Sequence, residues 1–188
     1  MKPVLLIIDV LVDYLDRWPS ADRAELVKAI QSLVETFRAM GLPVIWVRQE
    51  FEPDLSDAFL VMRRENISVT IKGTPGCRIV PELLPLAHET EVIKKRYSAF
   101  FGTPLDRLLS AYGADTVVLA GVNTHACVRT TAIDAYQRDL DVIIPQEAVG
   151  SYDREHASMS LRYMEGAIAQ VLPLADVVSC LEERKAQR

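Results

Sequence analysis

Six short apolar runs, separated by stretches with helical spacing, constrain this chain more than any other feature. The runs cover residues 4–10, 43–48, 91–95, 116–120, 141–145 and 171–173. Each is short and rich in β-branched residues, which favours a buried strand over a helix. Between them lie segments whose apolar residues recur every three to four positions. In 20–40 the stripe is Leu26, Ile30, Leu33, Val34 and Phe37, with Ser20 as an N-cap and Gly41 just past the C-terminus. Further helices are expected over 103–112, 127–138, 153–170 and 176–185, and a short helical piece over 81–86. Residues 50–71 read as a long polar loop with one short helix. Strands that alternate with amphipathic helices predict an α/β chain: a three-layer α/β/α, doubly wound, mostly parallel sheet. No repeat or linker divides the sequence, so 1–188 is read as a single domain.

In such sheets ligands bind beyond the carboxyl ends of the strands. That directs attention to Asp9, to the segments after Val47 and Ile93, and to the turn before Cys127. Composition removes several alternatives. A net charge of −5 gives nucleic-acid binding no support. The three cysteines, Cys77, Cys127 and Cys180, are far apart and show no Cys-x-x-Cys pair, which argues against a disulfide framework or a zinc site. The first apolar run is broken by Asp9 and is too short to span a membrane, so a cytoplasmic protein with no membrane partner is expected.

Three residues at these strand ends carry usable chemistry. Cys127 follows the run Val117-Val118-Leu119-Ala120-Gly121-Val122-Asn123-Thr124-His125-Ala126, where a helix is expected to open. A helix N-terminus favours a thiolate, and its free N–H groups can meet an oxyanion. The competing reading is a buried structural thiol. Asp9 interrupts an apolar strand, where a carboxylate needs a partner; it could also simply cap a loop. Asp13 is a competitor that reads as a structural hydrogen-bonder. Lys94 ends another strand, but Lys95 and Arg96 follow it, and a lone lysine there is more often solvated. Together a carboxylate, an ammonium and a thiol can perform nucleophilic catalysis without a metal. The histidines are poorly placed: His88 lies in a loop, His156 opens a late helix, and His125 sits two residues from Cys127 in a tight turn, where its side chain is expected to point elsewhere.

Four segments resemble the isochorismatase-like cysteine hydrolases, which include nicotinamidases and N-carbamoylsarcosine amidohydrolases. They are Leu5-Leu6-Ile7-Ile8-Asp9, the run from Lys94 to Thr103 containing Arg96, Ser98 and Phe100, the run from Gly121 to Val128, and Thr131-Ala132-Ile133-Asp134-Ala135. The resemblance implies an isochorismatase-like hydrolase fold and a catalytic triad of Asp9, Lys94 and Cys127, with Lys94 rather than Lys95 as the catalytic lysine. It also implies a cis peptide at Val122–Asn123 and an oxyanion hole formed by the N–H groups of Asn123 and Cys127.

The chain departs from the nicotinamidase pattern where those enzymes bind a metal. Gln49 stands at the aspartate position and Phe51 at the histidine position, and only Glu50 and Glu52 are left to hold a hard cation. No metal and no cofactor are therefore expected. Cys127 argues against the enol-ether cleavage of isochorismatases proper, which lack that nucleophile. What remains is a metal-free amidohydrolase acting on a small amide, ureido or carbamoyl compound. The alternatives are a nicotinamidase with an atypical or absent metal site and a non-catalytic interaction protein with a redox-sensitive thiol. Trp18, Gln49, Phe51, Tyr97, Phe100 and Tyr152 are candidates for the pocket wall, with core or interface as the competing role for each. Arg48 and Arg129 are candidates to receive a substrate carboxylate. The family commonly forms dimers or tetramers, so a homo-oligomer is expected, with 50–71 as a contact.

Overall fold

The computed structural model describes residues 1–186. Its elements follow the chain as β1 (Pro3–Ile8), α1 (Val12–Leu15), α2 (Ser20–Ala39), β2 (Val44–Gln49), α3 (Leu60–Glu65), β3 (Thr90–Lys94), α4 (Leu105–Tyr112), β4 (Thr116–Val122), α5 (Arg129–Tyr136), β5 (Asp141–Pro145), β6 (Val149–Gly150), α6 (Arg154–Met164), β7 (Gln170–Leu172) and α7 (Leu174–Ala186). The sheet has the order β3-β2-β1-β4-β5-β7, and the two-residue β6 pairs with the end of β4. Every ladder in it is parallel, so all strands end on one edge.

Side chains alternate across a strand, and here both faces are covered. From β1, Leu5 and Ile7 enter one core with Leu26, Ile30, Leu33 and Phe37 of α2 and Val177 and Leu181 of α7. Val4, Leu6 and Ile8 enter the other core with Leu105 and Leu109 of α4, Ala132 and Ala135 of α5, and Met164 of α6. Each such fully buried aliphatic side chain contributes about 1.5–3 kcal/mol. This is the three-layer α/β/α architecture.

Several boundaries differ from the expectations, each for a local reason. The first strand ends at Ile8 because Asp9 turns to a φ of 54°. Residues 81–86 form turns instead of a helix, since side chains from α2 hold their backbone: Gln31 donates to the Glu82 carbonyl and Arg38 to the Leu84 carbonyl. Pro104 precedes α4, which opens at Leu105. The helix expected over 153–170 stops at Met164, before Gly166 at a φ of 75°, and β6 has no counterpart among the expected strands. Thr124–Val128 forms a π-helical turn ahead of α5, with the Val128 N–H donating to the Asn123 carbonyl at 3.3 Å.

Residues 50–71 are more ordered than a polar loop suggests. Phe51, Leu55, Ala58 and Met62 close a small core of their own around α3.

Candidate active site

Asp9 is held from several directions at the end of β1. Its N–H donates to the Val47 carbonyl at 2.8 Å, and its Oδ1 accepts the Gln49 N–H at 2.7 Å. Its Oδ2 faces the Lys94 ammonium at 2.6 Å. Lys94 is the last residue of β3, two strands away from β1, with Gln49 paired opposite it in the ladder. Both side chains are fully buried.

The ammonium has three N–H donors, and three acceptors surround it. They are Asp9 Oδ2, the Arg96 carbonyl at 3.0 Å and Cys127 Sγ at 3.4 Å. Burial by itself would lower the Lys94 pKa, but the Asp9 carboxylate and the hydrogen bonds to Asp9 and Cys127 outweigh it and raise the pKa. Lys94 therefore stays charged.

Cys127 lies in the π-helical turn with 4% of its surface exposed. Here the expectation of a thiolate favoured by the helix end is corrected. Burial pushes the thiol pKa well up, the Asp9 carboxylate pushes it further, and Lys94 opposes them without prevailing. The resting group is a neutral thiol beside an Asp9–Lys94 ion pair.

The turn reaches this position because of Gly121. With a φ of 116°, it runs so close to β1 that a Cβ would stand 2.0 Å from the Ile8 carbonyl oxygen. The Val122–Asn123 peptide that follows is cis. The Lys94 loop is tied to α5 by two side-chain links. Ser98 Oγ donates to Asp134, and Thr131 Oγ1 accepts the Ala99 N–H at 3.0 Å.

The pocket candidates divide. Gln49 is 2% exposed and adjoins Asp9. Tyr97 is half exposed and stacks at 5.0 Å on Phe59. Tyr152 is exposed, with His125 against its ring at 5.3 Å. Trp18 lines a cleft of about 1170 Å³ between α2 and α6; Thr124 reaches that cleft but none of Asp9, Lys94 and Cys127 does. Phe51 and Phe100 are core residues, the former in the small core around α3 and the latter under Arg138 at 4.3 Å. Arg48 is occupied by Glu50 at 2.6 Å and Glu91 at 3.0 Å, which removes it as a receiver of substrate. Arg129 stacks on Tyr163 at 4.6 Å. Asp13 is structural: its Oδ2 accepts the Thr70 N–H at 2.6 Å. His125 turns from the thiol to Ser151, with Nδ1 at 2.7 Å from Oγ.

The positions that correspond to the nicotinamidase metal motif do not offer a donor set. Phe51 is apolar and packed, Glu50 is paired with Arg48, and Glu52 with Lys72 at 2.9 Å. Among the described residues no group of three or more His, Cys, Asp or Glu side chains converges.

Tyr14, which sequence reasoning misses, belongs here. Its phenol donates to Gln49 Oε1. Burial chiefly, then the Asp9 carboxylate, raise its pKa far above the ordinary phenol value, against a hydrogen bond from Thr70 that lowers it. The only sequence signal is its place shortly after the strand that ends in Asp9.

Residues 3–176 match the isochorismatase domain. The chain belongs to the isochorismatase-like hydrolase family. It is 29% identical over 185 residues to the maleamate amidohydrolase of Pseudomonas putida, covering 96% of this chain and 87% of that one. An isochorismatase family protein of Desulfovibrio vulgaris superimposes with a TM-score of 0.86 at 31% identity, covering 96% and 98% of the two chains. The N-carbamoylsarcosine amidase of Thermoplasma acidophilum superimposes with a TM-score of 0.79 at 32% identity, covering 93% and 97%. Among the described residues no helix is long and apolar enough to cross a membrane.

Proposed function

We propose that this hydrolase is a cysteine amidohydrolase that cleaves the C–N bond of a small amide, ureido or carbamoyl compound and releases ammonia. The observation that carries the reading is the fully buried Lys94 ammonium set between the Asp9 carboxylate and the Cys127 sulfur. Similarity to a maleamate amidohydrolase and an N-carbamoylsarcosine amidase points to the same bond type.

Because the resting thiol is neutral, its proton must leave as the sulfur attacks. Asp9 accepts that proton, and Cys127 Sγ bonds to the substrate carbonyl carbon. The N–H groups of Asn123 and Cys127 meet the resulting oxyanion, an interaction whose loss costs about 2.7–4 kcal/mol in other enzymes. Protonated Asp9 gives its proton to the departing nitrogen, the C–N bond breaks, and a thioester remains. Water then attacks the thioester and gives a proton to Asp9. The C–S bond breaks, the acid leaves, and Asp9 returns the proton to sulfur. Lys94 keeps its charge throughout and offsets the negative charge that moves between Asp9, sulfur and oxyanion.

Ammonia release across a panel of small amides and ureido compounds tests this, with wild type beside Cys127→Ala. Release that disappears in the variant is the expected result. Undiminished release from Cys127→Ala would remove Cys127 from the mechanism.

A further inference from the structure

The turn that carries Cys127 is tied to the segment after β6 by one side chain. Of the three side chains between Val122 and Ala126, Asn123 Oδ1 and Thr124 Oγ1 have no hydrogen-bond partner among the described residues. His125 does: its Nδ1 lies 2.7 Å from Ser151 Oγ. The sheet sets the position of Ser151. Gly121 pairs with Val149 and Val122 with Gly150, so Ser151 is the next residue beyond the pairing, beside the turn that leaves β4. Ser151 is anchored from behind. Its Oγ accepts the Asp153 N–H at 3.3 Å, and Asp153 caps α6 by accepting the His156 N–H at 2.9 Å. Gly150 before it lies so close to Trp18 that a Cβ there would stand 2.8 Å from the indole ring.

We propose that the His125–Ser151 hydrogen bond positions the catalytic turn, so that the N–H groups of Asn123 and Cys127 and the Cys127 sulfur are aimed together at the substrate carbonyl. This rests on the amidohydrolase reading and adds two positioning residues to it. Neither side chain hydrogen-bonds to Asp9, Lys94 or Cys127; both act through the backbone of the turn.

The chemistry of the pair fits a fixed tether. Ser151 Oγ already accepts the Asp153 N–H, and its own proton is free for His125 Nδ1. That bond requires a neutral imidazole with its proton on Nε2. The surroundings keep His125 neutral. Burial chiefly lowers its pKa, His156 acts in the same direction, and Asp153 opposes them. Asp153 is itself occupied by His156, whose Nδ1 stands 2.5 Å from its Oδ2. The Tyr152 ring packs edge-on against the imidazole at 5.3 Å between centroids. In the chain His125 lies two residues after Asn123 and two before Cys127, the two donors of the proposed oxyanion hole. A shift at His125 therefore moves both donors at once, and a misplacement of about 1 Å can cost about 10²-fold in rate.

Ser151→Ala, His125→Ala and His125→Asn test the proposal, because an asparagine Oδ1 can replace Nδ1 as the acceptor. On the best amide of the panel, each alanine variant should lose about 10–100-fold in kcat with KM nearly unchanged. The double alanine variant should be no slower than either single one, since both remove the same bond. His125→Asn should recover most of the lost kcat. Hydrogen exchange of the backbone amides of 121–128 gives a readout that needs no substrate. It should quicken in the alanine variants and slow again in His125→Asn, while the thermal midpoints stay near that of wild type. Unchanged kcat and exchange in Ser151→Ala would overturn the proposal. So would a His125→Asn as slow as His125→Ala, which would assign the effect to packing of the ring. If wild type releases ammonia from no amide, the amidohydrolase reading falls, and exchange alone decides whether the bond holds the turn.

Discussion

Two pressures act on Cys127 in opposite directions. The helix end and the Lys94 ammonium favour a thiolate, while burial and the Asp9 carboxylate favour the thiol, and the thiol wins. A thiol pKa raised above its ordinary value leaves the group protonated at neutral pH. Its alkylation by iodoacetamide should then be slow at pH 7 and still be rising at pH 9, without a plateau. A plateau below pH 8 in a rate-against-pH series would show a depressed pKa instead. The Asp9–Lys94 pair makes its own prediction. Each partner is buried, so removing one strands the other's charge, a loss of about 3–5 kcal/mol. Asp9→Asn and Lys94→Met should each destabilise by that order, and the double variant by clearly less than their sum. Urea unfolding of the four proteins checks this, and additive losses would mean that the pair is not coupled. Catalytically, Asp9→Asn should lower kcat by about 10²–10⁴-fold. Asp9, Lys94 and Cys127 were legible from their chemistry and from the motif runs around them. The ionisation of Cys127 was not, because it depends on how deeply the turn is buried, and the link from His125 to Ser151 becomes visible only once β6 is paired with the end of β4.

At the scale of elements, the site depends on how β1, β2, β3 and the turn after β4 are held in register. Gly121→Ala would drive a methyl group into the Ile8 carbonyl at a backbone conformation unsuited to L side chains. Thermal unfolding should show a large destabilisation, and any folded fraction should lose activity, since the methyl group must displace the turn that carries Cys127. On the other side of the sheet Glu89 fastens α2 and β2 to the approach of β3. It accepts from Arg38 Nε at 2.7 Å, Trp46 Nε1 at 2.7 Å and the Leu86 N–H at 2.9 Å. Burial would raise its pKa, but these donors overcome it and hold the carboxyl down to about 2. A depressed carboxylate stabilises the fold above its unfolded pKa and loses that contribution as pH falls through the folded one. Glu89→Gln should therefore cost about 1–3 kcal/mol at pH 7, and progressively less as the pH drops from 4.5 towards 2. Urea midpoints at pH 7 and pH 3 would show it; an unchanged difference would mean that Glu89 acts by shape and not by charge. The helix α2 was legible because its stripe is long and regular. The turns at 81–86 were not, because their hydrogen bonds come from Arg38 and Gln31, roughly fifty residues earlier.

Across the whole molecule, the parallel sheet is what brings distant residues together. Asp9, Lys94 and Cys127 belong to three strand ends, and the order β3-β2-β1-β4 sets those ends on one edge. The alternation of apolar runs with amphipathic segments announced that architecture, since each pattern has its own period. What the pattern could not announce was the packing of 50–71. Phe51, Leu55 and Met62 form their small core through contacts across a segment with no regular period, and there Phe51 serves packing where a pocket wall was expected. If Cys127 is the nucleophile that the sheet edge assembles, it becomes acylated in every turnover. Intact-protein mass spectrometry tests this on enzyme mixed with a turned-over amide and quenched in acid within milliseconds. The expected result is an added mass equal to the substrate less ammonia, mapped to the peptide containing Cys127 and released by hydroxylamine. Steady turnover in which ammonia release persists in Cys127→Ala and no adduct ever forms on wild type would contradict it.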